Sequence, residues 1–461
     1  MFSSNTYVSR RKKLKSDFKS GLLLFPGNRE SPMNYPANQY HFRQDSSFLY
    51  YWGLTSSGLA AIIDIDENKE IVFGNDFDLD DQIWMGPQKP ISERAATVGV
   101  RNTAPGNDLA GVIQSAIRNR RPVLFLPQYR AENILLLEKL LGINGASVNS
   151  YNSHDLIKAV VSQRSIKSPE EIGEIEKALE ISFEMYSLAL GNISPGLYES
   201  DISGLVEGRA MSMGSSMSFP VICSIHGETL HNHFHGNMMK KGDLLLLDSG
   251  AESAMFYASD ITRTFPVSGK FSQKQRAVYE VVLAAQTKAI EMIKPGISYK
   301  IVHLEVSKII AEGMKEIGLM KGNIDSAVEA GAHAMFFPHG LGHMLGLDVH
   351  DMESLGENFV GYDARTKRSD QFGLAYLRMA KKLEPGHVVT VEPGIYFIPQ
   401  LIETWKKERK FRDFINYDKL AEYKNFGGIR IEDDVLVTKT GRRVLGKPIP
   451  KTVAEIEEAM S

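Results

Sequence analysis

The chain has 461 residues, 43% of them hydrophobic, a formal net charge of -3 and one cysteine, Cys223. That is enough apolar material for more than one domain. It excludes an intramolecular disulfide or a thiolate metal cluster within one chain, and it implies no overall attraction to nucleic acid or to an anionic membrane.

From the N-terminus, "SRRKKLK" is basic, and the run from Arg10 to Lys15 reads as a solvated helix face. Only the short "GLLLF" follows it, so no secretory signal and no membrane span are expected. A cytoplasmic protein fits this and the single cysteine. "GLLLF", "LAAIIDID", "EIVFG" and "PVLFLP" read as strands bounded by Gly, Pro and Asn. "AENILLLEKLLG" reads as a helix stopped by Gly142. Their alternation predicts an α/β domain over residues 1–165.

Near residue 166 the texture changes. Ser168, Pro169 and Glu171 form a capping box with proline at the first helical position, opening a long amphipathic helix. A second box, Ser272 with Gln275, opens another. The two helices end alike, with Ile193, Pro195 and Gly196 recurring as Ile293, Pro295 and Gly296 before further helical sequence. This predicts two related helix-turn-helix halves in a second domain, 166–461. Two chance "PG" stops are the alternative.

The chemistry lies between and after these helices. "LLLLD" is a buried strand ending in Asp248, and "AMFYASDITRTF" reads as a second strand with Asp260 inside it. A hairpin would bring the two together. Carboxylates at apolar strand positions need a compensating charge, either a metal ion or an arginine such as Arg263. Glu392 follows the apolar "HVVTV". Glu432 lies within "IRIEDDVLV", where either Arg430 and Glu432 or Ile429 and Ile431 share the buried face. "HGLGHMLGLDVHD" holds His339, His343 and His350, three of the chain's twelve histidines, among glycines that argue against a regular helix. In "TLHNHFHG", alternation would place His231, His233 and His235 on one face of a strand, unless they form an exposed turn. Four carboxylates and one imidazole suit Mn, Co or Zn. Two divalent ions about 3.5–4 Å apart can share that charge and activate a water, which is the chemistry of hydrolysis.

The segments "LLLLDSG", "YASDITRTFP", "HGLGHMLGLDVHD", "LEPGHVVTVEPGIYFI" and "GGIRIEDDVLVT" resemble the five-ligand signature of the aminopeptidase P and prolidase branch of the pita-bread metallopeptidases. "YHFRQDSSFLYYWGL" (40–54) resembles a segment of that family's N-terminal domain. The resemblance covers nearly the whole chain and is looser from about 75 to 165. It implies an α/β N-terminal domain followed by an α+β pita-bread catalytic domain. It implies two divalent ions, most simply Mn, held by Asp248, Asp260, His343, Glu392 and Glu432, with Asp260 and Glu432 bridging and Glu392 also the general acid/base. It implies that His231 and His350 stabilise the tetrahedral intermediate, that His339 lines the substrate pocket and that Arg430 braces the site. His233 and His235 have no counterpart. Substrates would be peptides with proline second. Arg378 sits where prolidases bind a dipeptide carboxylate. The reading favours an Xaa-Pro aminopeptidase, with an Xaa-Pro dipeptidase as the alternative. A non-catalytic peptide-binding relative is disfavoured because all five ligands are present. Family members are often dimers or tetramers, so a homodimer or homotetramer is expected.

Overall fold

The computed structural model describes residues 1–461. Two compact units emerge. The first comprises Met1–Arg164 with Glu353–Phe359, the second Ser165–Met352 with Val360–Ser461.

The four predicted runs of the first unit are strands β1 (Leu22–Pro26), β2 (Ala60–Asp64), β3 (Lys69–Phe73) and, after the short β4 (Asn102–Ala104), β5 (Val123–Phe125). They form one mixed sheet in the order β4-β3-β2-β1-β5. Helices α2 (Asp108–Arg118) and α3 (Ala131–Leu141) supply Ile113 and Leu137 to a core shared with Leu24, Ile62 and Phe73. Gly142 ends α3 in the left-handed conformation, as the sequence predicts.

One N-terminal expectation holds only in part, since Lys12 and Lys13 are exposed but their neighbours are not. Arg10 and Arg11, on helix α1 (Ser4–Lys15), are buried rather than solvated. Arg11 pairs with Glu70 at 2.7 Å and donates to the carbonyls of Tyr51 and Val98, while Arg10 stacks over Tyr50. Local charge pattern cannot show that unsatisfied carbonyls elsewhere in the chain recruit these guanidinium groups.

In the second unit both capping boxes form. They open α4 (Pro169–Leu190) and α6 (Gln273–Met292), which are followed by α5 (Glu199–Ser212) and α7 (Tyr299–Glu316). The repeat is structural. Gly196 and Gly296 both take positive φ, 96° and 83°, in the turns between paired helices. The Gly196 N–H donates to the Met239 carbonyl at 2.9 Å, and the Gly296 N–H to that of Leu383 at 2.8 Å.

After each of these contacts comes a turn and then a buried strand. β6 (Ile222–Ser224), β7 (Leu244–Ser249) and β8 (Ile261–Pro266) form an antiparallel sheet with β7 central. β9 (Val388–Val391) pairs with β12 (Asp433–Val437), and β10 (Gly394–Tyr396) with β11 (Gly428–Arg430). No helix is long and apolar enough to cross a membrane.

Candidate metal centre and substrate cavity

The β7–β8 hairpin sets Thr262 opposite Asp248. Asp260 lies just before β8, not inside it, because the chain turns at residues 254–255 and returns through an isolated Glu252–Ala258 bridge before the ladder begins at Ile261. Gly250 permits this, since a Cβ there would lie 1.8 Å from the Ser259 carbonyl oxygen. "IRIEDDVLV" is likewise not one strand. It breaks between β11 and β12, which belong to different sheets, and Glu432 sits at the break with a bridge to Thr262. The choice between faces dissolves: Ile429, Arg430, Ile431 and Glu432 are all buried. Glu392 follows β9 as expected.

These elements converge on one cavity of 670 Å³, lined by Asp248, Asp260, His343, Glu392 and Glu432. One ligand atom each from Asp260, His343 and Glu432 fall within 4.8 Å of one another. His343 Nε2 is 3.4 Å from Asp260 Oδ2 and 3.5 Å from Glu392 Oε1. The His343 Nδ1 donates to the Met344 carbonyl at 3.0 Å, which leaves the Nε2 lone pair facing the carboxylates. Buried acceptors pointed at one another need a proton or a cation between them.

Two further observations agree. Asp248 Oδ1 and Glu432 Oε1 are buried without hydrogen-bond partners. Burial, together with the neighbouring carboxylates, pushes Asp260 and Glu432 well above the usual carboxylate range, and burial raises Glu392. The donor set therefore fits divalent cations that accept oxygen and imidazole ligands.

The alternative partner, Arg263, turns elsewhere. It pairs with Asp433 at 2.7 Å and donates to the Glu432 carbonyl. The cation within the cluster is Arg430, which donates to Asp248 Oδ2 at 2.6 Å, Thr262 Oγ1 at 3.1 Å and the Tyr396 hydroxyl at 2.8 Å. Thr262 in turn donates to Glu432 Oε2 at 2.7 Å.

His339, His231, His350 and Arg378 all line the same cavity. His339 Nδ1 donates to the Gly340 carbonyl at 2.7 Å, so its Nε2 accepts from the Tyr396 hydroxyl at 2.8 Å. Burial and Arg430 hold His339 down at about 3, and burial holds the Tyr396 phenol up at about 12, so both stay neutral in this chain of contacts. His350 meets the His343 ring edge to face, with centroids 4.2 Å apart. Arg378 lies in a loop. Burial, then Arg430, lowers the pKa of His231.

Of the two readings for His231, His233 and His235, the strand does not form, and residues 225–237 run as turn and loop with His231 and His233 exposed. His233 also lines the cavity, whereas His235 turns to the Val221 carbonyl at 3.1 Å. The glycines of the histidine stretch serve close approach: a Cβ on Gly342 would lie 2.1 Å from the Thr390 carbonyl oxygen. Sequence reasoning missed Tyr396, Thr262 and Thr390. Tyr396 lies on β10 two residues beyond Gly394, and only its contacts reveal it.

Metallopeptidase family M24 matches residues 173–439, and the aminopeptidase P N-terminal domain matches residues 7–125. The chain is 34% identical over 430 residues to the Xaa-Pro dipeptidase of Rattus norvegicus, covering 91% of this chain and 85% of that protein. It is 32% identical over 450 residues to the Xaa-Pro aminopeptidase of Haemophilus influenzae, covering 96% and 93%. Among solved structures it is similar to aminopeptidase PepP of Pseudomonas aeruginosa, with a TM-score of 0.83, 27% identity and coverage of 100% and 98%. Zinc-substituted aminopeptidase P of Escherichia coli in complex with product gives a TM-score of 0.81 at 28% identity, with the same coverage. The fold is the expected one, an α/β N-terminal domain followed by a pita-bread catalytic domain. The chain belongs to metallopeptidase family M24.

Proposed function

We propose that this member of metallopeptidase family M24 hydrolyses the bond between the first residue and a following proline at peptide N-termini, as an Xaa-Pro aminopeptidase. The observation that carries the reading is the convergence of four carboxylates and one imidazole on a cavity also lined by Phe219, Pro220 and Ile222. Proline specificity rests on the names of its relatives.

Asp248, Asp260, His343, Glu392 and Glu432 would hold two divalent cations, manganese first, with cobalt or zinc as alternatives. Such a pair supplies a nucleophilic water near neutral pH and polarises the scissile carbonyl.

The chain's own groups do the rest. Glu392 takes a proton from the attacking water and passes it to the proline nitrogen as the C–N bond breaks. His231 and His350 donate hydrogen bonds to the oxygen that gains charge. His339, with both ring nitrogens engaged, shapes the pocket without titrating. Arg430 fixes Asp248 and Tyr396. Residence in the cytoplasm and assembly as a homodimer or homotetramer belong to the same proposal, the assembly being measurable by light scattering.

A second reading, the Xaa-Pro dipeptidase, is favoured by Arg378, a guanidinium on the cavity wall able to bind a carboxylate bidentately. Cleavage of an Xaa-Pro dipeptide and of the same peptide extended by one residue, with Arg378→Ala in parallel, separates the two. A preferred tripeptide that is insensitive to Arg378→Ala supports the aminopeptidase. A preferred dipeptide that loses its advantage in the variant supports the dipeptidase. Failure to cleave either, with two metal equivalents bound, refutes both.

A further inference from the structure

Residues 225–237 carry His231 and His233 to the cavity without any helix or strand of their own. Something else must hold them, because an unsupported loop would let a hydrogen-bond donor wander by more than catalysis tolerates. We propose that Glu199, outside the cavity, is the positioning residue for this segment.

Glu199 is the first residue of α5 and is fully buried. Its Oε1 accepts from Ser224 Oγ at 3.0 Å, from the Ile225 N–H at 2.8 Å and from Asn237 Nδ2 at 3.1 Å. Its Oε2 accepts from the Asn237 N–H at 3.1 Å and from Asn237 Nδ2 at 3.0 Å. One carboxylate thus clasps the residues at both ends of the loop. All these donors are neutral. A carboxylate offers only acceptors, so a ring of donors is what makes its burial tolerable.

The backbone repeats the grip, with the Glu199 and Ser200 N–H groups donating to the Asn237 and His235 carbonyls, each at 3.0 Å. The grip also reaches the histidines. Ser224 Oγ, having donated to Glu199, accepts from Asn232 Nδ2 at 2.9 Å, and Asn232 lies between His231 and His233 in the chain. Asn232 Oδ1 accepts from the Phe234 N–H at 3.0 Å. Glu199, Ser224 and Asn232 are therefore one polar chain that ends beside both cavity histidines.

The internal repeat gives independent support. Tyr299 opens α7 as Glu199 opens α5, and its N–H donates to the Lys381 carbonyl as that of Glu199 does to Asn237. The buried Tyr299 hydroxyl donates to the Thr390 carbonyl, two residues before Glu392. The same station thus braces a segment bearing a site residue in each half. A phenol suffices where that segment is a strand with its own ladder. The strandless segment of the first half needs the many-donor clasp of a carboxylate.

The inference rests on the proposed role of His231 in the reaction. The test is a double-mutant cycle on the metal-loaded full chain, using Glu199→Gln and His231→Ala with a neutral Xaa-Pro tripeptide. Glutamine keeps the shape but turns one acceptor into a donor facing donors. Glu199→Gln is expected to lower kcat about tenfold or more, with KM changed by less than about threefold and metal content unchanged. In the His231→Ala background the same change should cost less than about twofold. Asn232→Ala, which cuts the chain at its half-buried end, should behave alike and serves if Glu199→Gln does not fold. Equal losses of kcat in both backgrounds, or no loss of kcat, would overturn the assignment of Glu199 alone. A silent His231→Ala would overturn the role of His231 and this assignment with it.

Discussion

Replacing Glu432 with glutamine should stabilise the metal-free protein while weakening its response to metal. Glu432 is buried at 2% exposure, its Oε1 has no partner, and its Oε2 accepts from Thr262. Burial first, then Asp260, pushes its carboxyl well above the usual range, so the metal-free fold holds a proton that the unfolded chain releases. Stability contributed by such a group is complete below the unfolded pKa of about 4.3 and is lost as pH rises toward the folded value. At about 1.4 kcal/mol per pH unit, the loss at pH 7 is at most about 3.7 kcal/mol. Glutamine does not titrate, and its amide oxygen can still accept from Thr262. Glu432→Gln should therefore exceed wild type by up to about 3–4 kcal/mol at pH 7 and match it near pH 4. The assay is urea unfolding of chelator-treated protein, followed by circular dichroism at both pH values and repeated with manganese. Metal at a hundredfold excess over Kd should add about 2.7 kcal/mol per site to wild type and far less to the variant. A variant less stable than metal-free wild type at pH 7, with no pH dependence in the difference, would refute the reading of Glu432 as a ligand held in an uncompensated carboxylate cluster.

Three other perturbations test separate parts of the site. Glu392→Gln should lower kcat by about 10²–10⁴ with both metal equivalents retained, and near-normal turnover with metal bound would remove its acid/base role. Tyr396→Phe deprives Arg430 of an acceptor and His339 of a donor. It should cost about 1–3 kcal/mol in chemical denaturation and lower kcat, whereas an unchanged kcat would show that neither neighbour depends on the phenol. Gly342→Ala would drive a Cβ to 2.1 Å from the Thr390 oxygen and so displace His343, with loss of both stability and metal retention. Gly208→Ala, inside α5 with open space around it, should instead stabilise by about 0.5–1 kcal/mol, which makes it the control in the same melting series.

What the sequence made legible was local. The capping boxes at Ser168 and Ser272 formed because the residues that make them lie three apart and need nothing else. The β7–β8 hairpin followed from two apolar runs joined by a turn, although Asp260 falls before its ladder. The errors share a cause. Arg10 and Arg11 were misjudged because their acceptors, the carbonyls of Tyr50, Tyr51 and Val98, are distant in sequence. The period-2 pattern of His231, His233 and His235 looked like a strand because polar alternation resembles β pairing when no partner strand can be seen. Tyr396 carried no signal, since an aromatic residue on a strand is ordinary core until Arg430 and His339 are placed against its hydroxyl.

The repeat explains why carboxylates assemble here at all. In each half a helix pair is followed by a turn, whose glycines Gly242 and Gly386 share φ near 95° (96° and 95°), and then by a buried strand. Asp248 lies as far beyond Gly242 as Glu392 lies beyond Gly386. Val267 donates to the Asp243 carbonyl in one half, and Val437 donates to the His387 carbonyl in the other. Each half therefore brings its strand pair in with the same geometry, and the two acidic strand ends face one cavity. The second strands are where the halves diverge. In the first half, Asp260 precedes a continuous β8. In the second, the chain breaks at Glu432, and Arg263 fills the break by binding the Glu432 carbonyl and Asp433. Arg430 and Arg263 thus divide the work, the first compensating Asp248 inside the cavity and the second compensating Asp433 behind it. Removing Arg263 should therefore unsettle the fold around Glu432, whereas removing Arg430 should act on the cluster itself.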